Sequence, residues 1–271
     1  INSKIKKIIN NNPKVIEIND FIYKKESLDY ATAPVKPQDL AVLLYSSGTT
    51  GLPKPIGLSH ENLKTNAVAL SSEWGLRDSD VLLHTLPMYH IHGLLISLNA
   101  VLLSGASLIA TAKFSVEEVM NYMERATIFM GVPTYYHRIL NSPRLKKIDY
   151  SKIRLFISGS APLSEAILAQ FKGFTGHTIL ERYGMTETGV ISSNPVLGKR
   201  KPGSVGKAIS TVSLQVRATA DGEVGEVWVK GKSVSQMVCE KDGWFKTGDL
   251  GYLDNEGYLY LVGRSKDMII T

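Results

Sequence analysis

Cysteine is almost absent from this chain of 271 residues. Cys239 stands alone, which excludes an internal disulfide framework and fits a reducing compartment, the cytosol or an organelle matrix. No apolar run reaches the roughly 20 residues that a helix needs to cross a bilayer. The longest, around Leu94 to Leu103, is broken by Ser97 and Asn99 and reads as a buried helix in a soluble protein. Aromatic residues make up only 8%, and none form a stripe interleaved with the basic residues, so nucleic-acid binding is not expected despite a net charge of +6. That charge sits at Lys4, Lys6, Lys7, Lys24 and Lys25 and in loop-like stretches at Arg144, Lys146, Lys147, Lys199, Arg200 and Lys201. Such a surface suits a small anionic substrate. Internal repeats are missing, low complexity is limited to Asn10-Asn11-Asn12, and no cleavable signal pattern is present. An initiator methionine is lacking as well, and the chain stops at Ile269-Ile270-Thr271 just after a motif, so a fragment of a longer protein is expected.

What is present is ordinary globular material, 44% hydrophobic and 21% charged, long enough to bury roughly three quarters of its unfolded surface. Up to about residue 190, apolar runs of strand length alternate with segments of helical period, which is α/β patterning. The candidate strands are Leu40 to Leu44, Val81 to His84, Ser107 to Ala110, Thr127 to Met130, Leu155 to Ser158 and Thr178 to Leu180. Helices begin near Ser59, Ser115 and Ser164, and Ser115 with Glu118 predicts a capping box for a helix from Val116 to Arg125. From about Pro202 the texture becomes β-rich, with runs at Ser213 to Arg217, Glu226 to Lys230 and Tyr258 to Val262.

The most informative segment is Tyr45-Ser-Ser-Gly-Thr-Thr-Gly-Leu-Pro-Lys54, a hydroxyl-rich glycine loop ending in a lysine. Successive N–H groups in such a turn make an anion nest, and the lysine adds a point charge. A nucleoside triphosphate is the expected guest, although Leu52-Pro53 before Lys54 breaks the Walker spacing. A second cluster, Glu181-Arg-Tyr-Gly-Met-Thr-Glu-Thr188, offers an aromatic face, hydroxyls and a carboxylate able to share Mg²⁺ with phosphate oxygens. The third and fourth are Gly243-Trp-Phe-Lys-Thr-Gly-Asp-Leu250 and Gly263-Arg-Ser-Lys-Asp267. There a carboxylate such as Asp249 can accept from ribose hydroxyls while an arginine braces the sugar.

Four such clusters in this order resemble the adenylate-forming superfamily of acyl-CoA synthetases, nonribosomal-peptide adenylation domains and firefly-type luciferases, over a span from about Asp39 to the last residue. The resemblance implies an α/β fold, with 1–38 a basic lead-in, 39–201 a layered nucleotide- and acyl-binding region, 202–262 a small β-rich subdomain and 263–271 the start of a hinge to a mobile C-terminal domain. It also implies roles. Ser46, Ser47, Gly48, Thr49, Thr50, Gly51 and Lys54 would cradle phosphates, and Gly159, Ser160, Ala161 and Pro162 would form the adenine edge. Tyr183 would stack on adenine, with Gly184 and Met185 beside it. Thr186 would meet the α-phosphate and Glu187 the Mg²⁺. Asp249 and Arg264 would hold the ribose, and Lys266 would sit at the hinge. ATP, Mg²⁺ and coenzyme A are the implied cofactor and co-substrates. One departure is Pro55, where the family has glycine, which removes a donor and stiffens the chain beside the loop. The first chemical step in this family uses a lysine from the C-terminal domain, so poor turnover is expected of residues 1–271 alone.

Pro87-Met-Tyr-His-Ile-His-Gly-Leu94 matches the family's acyl-pocket histidine segment, and the wording is most similar to malonyl-CoA synthetases. Malonate would bring a second carboxylate into the pocket, and a buried anion needs fixed donors. Arg182 supplies a planar fork and His90 or His92 an adjustable donor. Arg182 can equally pair with Glu181 or brace the nucleotide loop, and His92 can serve as a helix-start hydrogen bonder. His84 and His137 read as structural. A medium- or long-chain fatty acid is the other candidate acid, and a non-catalytic remnant is the reading from a different class.

Overall fold

Val81–His84, Ile128–Gly131 and Leu155–Ser158 are short and almost wholly apolar, the composition of strands covered on both faces. The computed structural model describes residues 33–46, 53–218 and 223–265. It makes these three runs β3, β5 and β6 of a seven-stranded sheet, with β4 (Ser107–Ala110), β7 (Leu180–Met185), β8 (Gly189–Ser193) and β9 (Lys207–Ala208), in the order β4-β3-β5-β6-β7-β8-β9. The strands from β4 to β7 run parallel, and β8 and β9 complete the sheet antiparallel. This is the mixed α/β fold that the sequence predicts.

Alternation along the central strands sorts side chains between two layers. Leu82, Ile128, Leu155 and Ile157 join Leu70 and Trp74 of helix α1 (His60–Glu73) and its end, and Ala100 and Val101 of helix α2 (Leu98–Leu103). On the other face Leu83, Phe129 and Phe156 pack on helices α3 (Val116–Tyr122), α4 (Pro133–Leu140) and α5 (Glu165–Thr175) through Met120, Tyr136 and Phe171. The first core continues into a second, antiparallel sheet through Val212, Val227 and Leu259. That sheet is β10 (Val212–Ala218), β11 (Gly225–Gly231), β12 (Phe245–Leu253) and β13 (Leu259–Arg264), in sequential order. A separate hairpin pairs β1 (Leu40–Ser46) with β2 (Lys54–Ser59). Contacts divide the chain into Ile1–Val35 and Lys36–Thr271, and all these elements belong to the second unit.

Several local expectations need correction. The reciprocal capping box forms at Ser59 and Asn62, where Asn62 N–H donates to Ser59 Oγ at 3.1 Å and Ser59 N–H donates to Asn62 Oδ1 at 2.8 Å. At α3 only the Ser115 half is present, and the helix tightens to a 3₁₀ turn over Met123–Arg125. The apolar stretch near Leu94 opens with a π-helical turn, His92–Ser97, and its last leucines, Leu102 and Leu103, are exposed. The glycine loop joins two strands, because Lys54 pairs with Ser46 across the β1–β2 hairpin. Pro55 therefore lies in β2 opposite Tyr45, and its missing donor is tolerable in a strand paired on one side alone.

Candidate active site

In spatial order the sheet leaves β3 in two directions: the chain moves from β3 to β4 on one side and later returns as β5, β6 and β7 on the other. Such a switch opens a crevice at the carboxyl ends of the strands, where ligands bind in open α/β sheets. Here the crevice is a cleft of about 1010 Å³. Leu86 and Pro87 beyond β3, Val132 beyond β5, Ser160 beyond β6 and Gly184 to Glu187 at the end of β7 line it. Ser46 and Lys54 face it from the β1–β2 hairpin, and Lys246, Thr247, Gly248 and Arg264 from the second sheet.

The second sequence cluster splits between strand and turn. Glu181 to Met185 lie in β7, and Thr186, Glu187 and Thr188 form the turn into β8. Gly184 has no room for a side chain, since a Cβ there would sit 2.2 Å from Gly189 O. Asn66 of α1 holds the hairpin from below, accepting from Val190 N–H at 3.2 Å and donating to Val190 O at 3.0 Å. Ser235 N–H donates to Glu187 O at 2.8 Å. The turn is thus held from two sides, with Glu187 half-buried at the cleft. Burial raises its carboxyl pKa and Arg264 pulls it back.

Asp249 and Arg264 are cross-strand partners on β12 and β13, joined by Arg264 Nε to Asp249 Oδ1 at 3.1 Å. The other oxygen of Asp249 accepts from Tyr183 Oη at 2.5 Å. Tyr183 is buried beneath the cleft. Predicted residues that do line the cleft are Ser46, Lys54, His90, His92, Ser160, Gly184, Met185, Thr186, Glu187 and Arg264. Gly159 is buried behind it, while Ala161 and Pro162 are exposed beside it. Ser47, Gly48, Thr49, Thr50, Gly51 and Lys266 lie outside the described residues.

Arg182 is buried on β7, and its Nε and Nη2 have no hydrogen-bond partner among the described residues. Burial lowers its pKa to about 10. The guanidinium lies over Gly159, where a Cβ would come within 2.4 Å of Cζ. No ion pair joins it to Glu181, its neighbour on the opposite face of the strand. His92, at the start of the π-helical turn, is also buried; its Nδ1 meets Ser160 Oγ at 3.2 Å and its Nε2 has no partner among the described residues. Burial, then Arg182, His84 and His90, hold its pKa well below the ordinary range. Ser160 is the one non-glycine residue with a positive φ, 70°, among the described residues, a conformation kept only where surroundings enforce it. His84 is buried, with Nε2 3.2 Å from Met88 Sδ and Nδ1 unpartnered among the described residues.

Sequence reasoning passed over Tyr135, Leu86 and Glu226, which also line the cleft. Tyr135 had a usable signal, since it follows Pro133 at the first turn of a helix that begins where a parallel strand ends. Glu226 had none, because only the pairing of β11 with β12 brings it there.

The AMP-binding enzyme family matches residues 3–238. The chain belongs to that family. ATP-bound MatB from Rhodopseudomonas palustris superposes with a TM-score of 0.85 at 44% identity, covering 89% of this AMP-binding chain and 51% of that one. A malonate–CoA ligase of Arabidopsis thaliana is 35% identical over 84% of this chain and 43% of its own. A long-chain-fatty-acid–CoA ligase of Bacillus subtilis is 33% identical over 92% and 48%. The AMP-binding chain thus spans about half the length of the curated relatives it matches. Among its described residues no helix is long and apolar enough to cross a membrane.

Proposed function

We propose that this chain is the nucleotide- and acid-binding part of an AMP-forming acid–CoA ligase whose acid is malonate. The observation that carries the choice of acid is the buried guanidinium of Arg182, which acts on His92, together with its Nε and Nη2 and the His92 Nε2, all without a partner among the described residues. Leaving charged donors unsatisfied costs several kcal/mol in a monoacid enzyme, and a second carboxylate repairs the deficit. The first carboxylate attacks the α-phosphorus of ATP, forming an acyl–oxygen–phosphorus link as the bond to pyrophosphate breaks. Coenzyme A sulfur then attacks the acyl carbon, and AMP leaves with the former carboxylate oxygen.

Lys54 and the loop from Ser46 to Gly51 hold the phosphates, and Thr186 and His90 approach the reacting groups from the β7 turn and the segment beyond β3. Tyr183, Gly184 and Met185 with Gly159 to Pro162 take the base, Asp249 and Arg264 the ribose, and Lys266 the hinge. Among the described residues no three acidic, histidine or cysteine side chains converge. Glu187, half-buried at the cleft, is the residue that would hold Mg²⁺. The ion would supply neutralisation of phosphate charge. The protein's own contribution is positioning and fixed dipoles.

A fatty acid is the second reading, favoured by the apolar wall that Leu86, Ile91 and Val132 give the cleft. Calorimetric titration with non-hydrolysable malonyl- and octanoyl-adenylate analogues separates the two. Tight binding of the malonyl form, lost in Arg182→Ala, is the expected result; preference for the octanoyl form, strengthened in the same variant, would move the protein to the fatty-acid branch. Silence from both would mean that the chain has no competent nucleotide site.

A further inference from the structure

The charged and titratable groups that act on the buried His92 are bases: Arg182, His84 and His90. His92 faces Arg182 from β7, His84 from β3, His90 from the segment before its own turn, and Ser160 from the loop beyond β6; none of the charged groups acting on it is a carboxylate. His84 Nδ1, His92 Nε2, and Arg182 Nε and Nη2 are buried without partners among the described residues. In the register of the parallel strands, His84, Met130 and Ile157 share one face of the sheet. Arg182, two residues after the Leu180 that pairs with Ile157, points the same way.

Ser160 explains how one imidazole serves in two charge states. A hydroxyl donates to a bare ring nitrogen and accepts from a protonated one. The contact between Ser160 Oγ and His92 Nδ1 at 3.2 Å therefore survives protonation of the ring. A doubly protonated imidazole has both N–H groups used only if an anion meets Nε2. Ser160 holds this place at a backbone cost, its φ of 70°, which ties the hydroxyl to the pocket's geometry.

We propose that a dicarboxylate enters this pocket together with one proton from solvent, which His92 takes up, and that Ser160 is the positioning residue that lets the ring accept it. No covalent bond is made or broken; the proton leaves the buffer and adds to the free ring nitrogen, and the distal carboxylate lies between Arg182 and His92. The inference rests on the dicarboxylate reading above. It adds a basis for selection: a monocarboxylate bound at the phosphate end leaves two buried bases uncompensated and takes up no proton.

The test is calorimetric titration of the 271-residue chain near pH 7 with the malonyl-adenylate analogue and with its distal methyl ester. Each is run in two buffers of different ionisation enthalpy, so that proton uptake is read directly. Uptake of close to one proton is expected for the malonyl form, with affinity falling by up to about tenfold per pH unit on the alkaline side. The methyl ester on the unaltered chain, and the malonyl form on His92→Gln, should show uptake near zero; Ser160→Ala should show reduced uptake. Preferential binding of the malonyl form with no proton exchange would overturn the proposal and leave the dicarboxylate reading standing. Equal binding of malonyl form and ester would remove that reading, and this one with it. The ester comparison needs no variant to fold.

Discussion

Glu181 and Arg182 are neighbours on β7, and the period of two in a strand sends the acid to one side and the base to the other. Neither finds a counter-ion among the described residues. Burial raises the Glu181 pKa to about 7, partly offset by the N–H groups of Leu163 and Gly203. The folded value lies above the unfolded one, so its contribution to stability is whole below about pH 4.5 and is lost as pH rises through about 7. The loss amounts to about 3 kcal/mol. Urea denaturation at pH 5 and pH 8 should show most of that fall in the unaltered protein and little of it in Glu181→Gln. Gly159→Ala pushes a methyl group into the Arg182 guanidinium. Preference for the malonyl over the methyl-ester analogue should then drop by about tenfold or more, measured by competition binding.

At the scale of elements, helix α1 acts as a clamp. Asn62 donates to Lys232 O at 2.8 Å and Val234 O at 3.0 Å, and Asn66 closes on Val190 of β8. Asn66→Ala strands a buried N–H and a buried C=O, at a cost of about 2 to 4 kcal/mol, whereas Ser59→Ala removes a cap worth about 1 kcal/mol. Chemical denaturation of the two variants should rank them in that order. The central strands β3 and β6 were legible because both faces are apolar, and their predicted and observed limits coincide, as do those of the edge strand β4. Strands β8 and β12 were not read as strands. Their runs, Gly-Val-Ile-Ser-Ser and Phe-Lys-Thr-Gly-Asp-Leu-Gly-Tyr-Leu, carry glycine and polar residues, and pairing with neighbours outweighs propensity there.

For the molecule as a whole, the two ends of the parallel sheet do different work. At the amino ends, Asp80 is buried and accepts from Arg154 Nε at 2.7 Å and from Thr127 Oγ1 at 2.8 Å. The same arginine donates to Trp74 O and Gly75 O beyond α1. Burial opposes the charge on Asp80, yet these hydrogen bonds prevail and hold its pKa below the ordinary carboxylate value. Its stabilisation is therefore present above about pH 4 and lost as pH falls through the folded value. Asp80→Ala leaves Arg154 unpaired and should cost about 3 to 5 kcal/mol. Because the cleft lies at the opposite ends of the strands, ATP affinity of the folded fraction should stay unchanged in the same titration.

The clusters around Lys54, Thr186 and Arg264 were legible in the sequence because each is a local run of glycine, hydroxyl and charge, complete within a few consecutive residues, and the fold brings all three to one cleft. The sequence by itself thus determined the α/β class and the family. Only the tertiary structure decided that Ser160, at the cleft, meets His92, and that Arg182 and His84 act on the same ring. Those interactions link residues up to 90 positions apart. Whether a buried base has a partner depends on what the other strands bring to it, which no single stretch of chain contains.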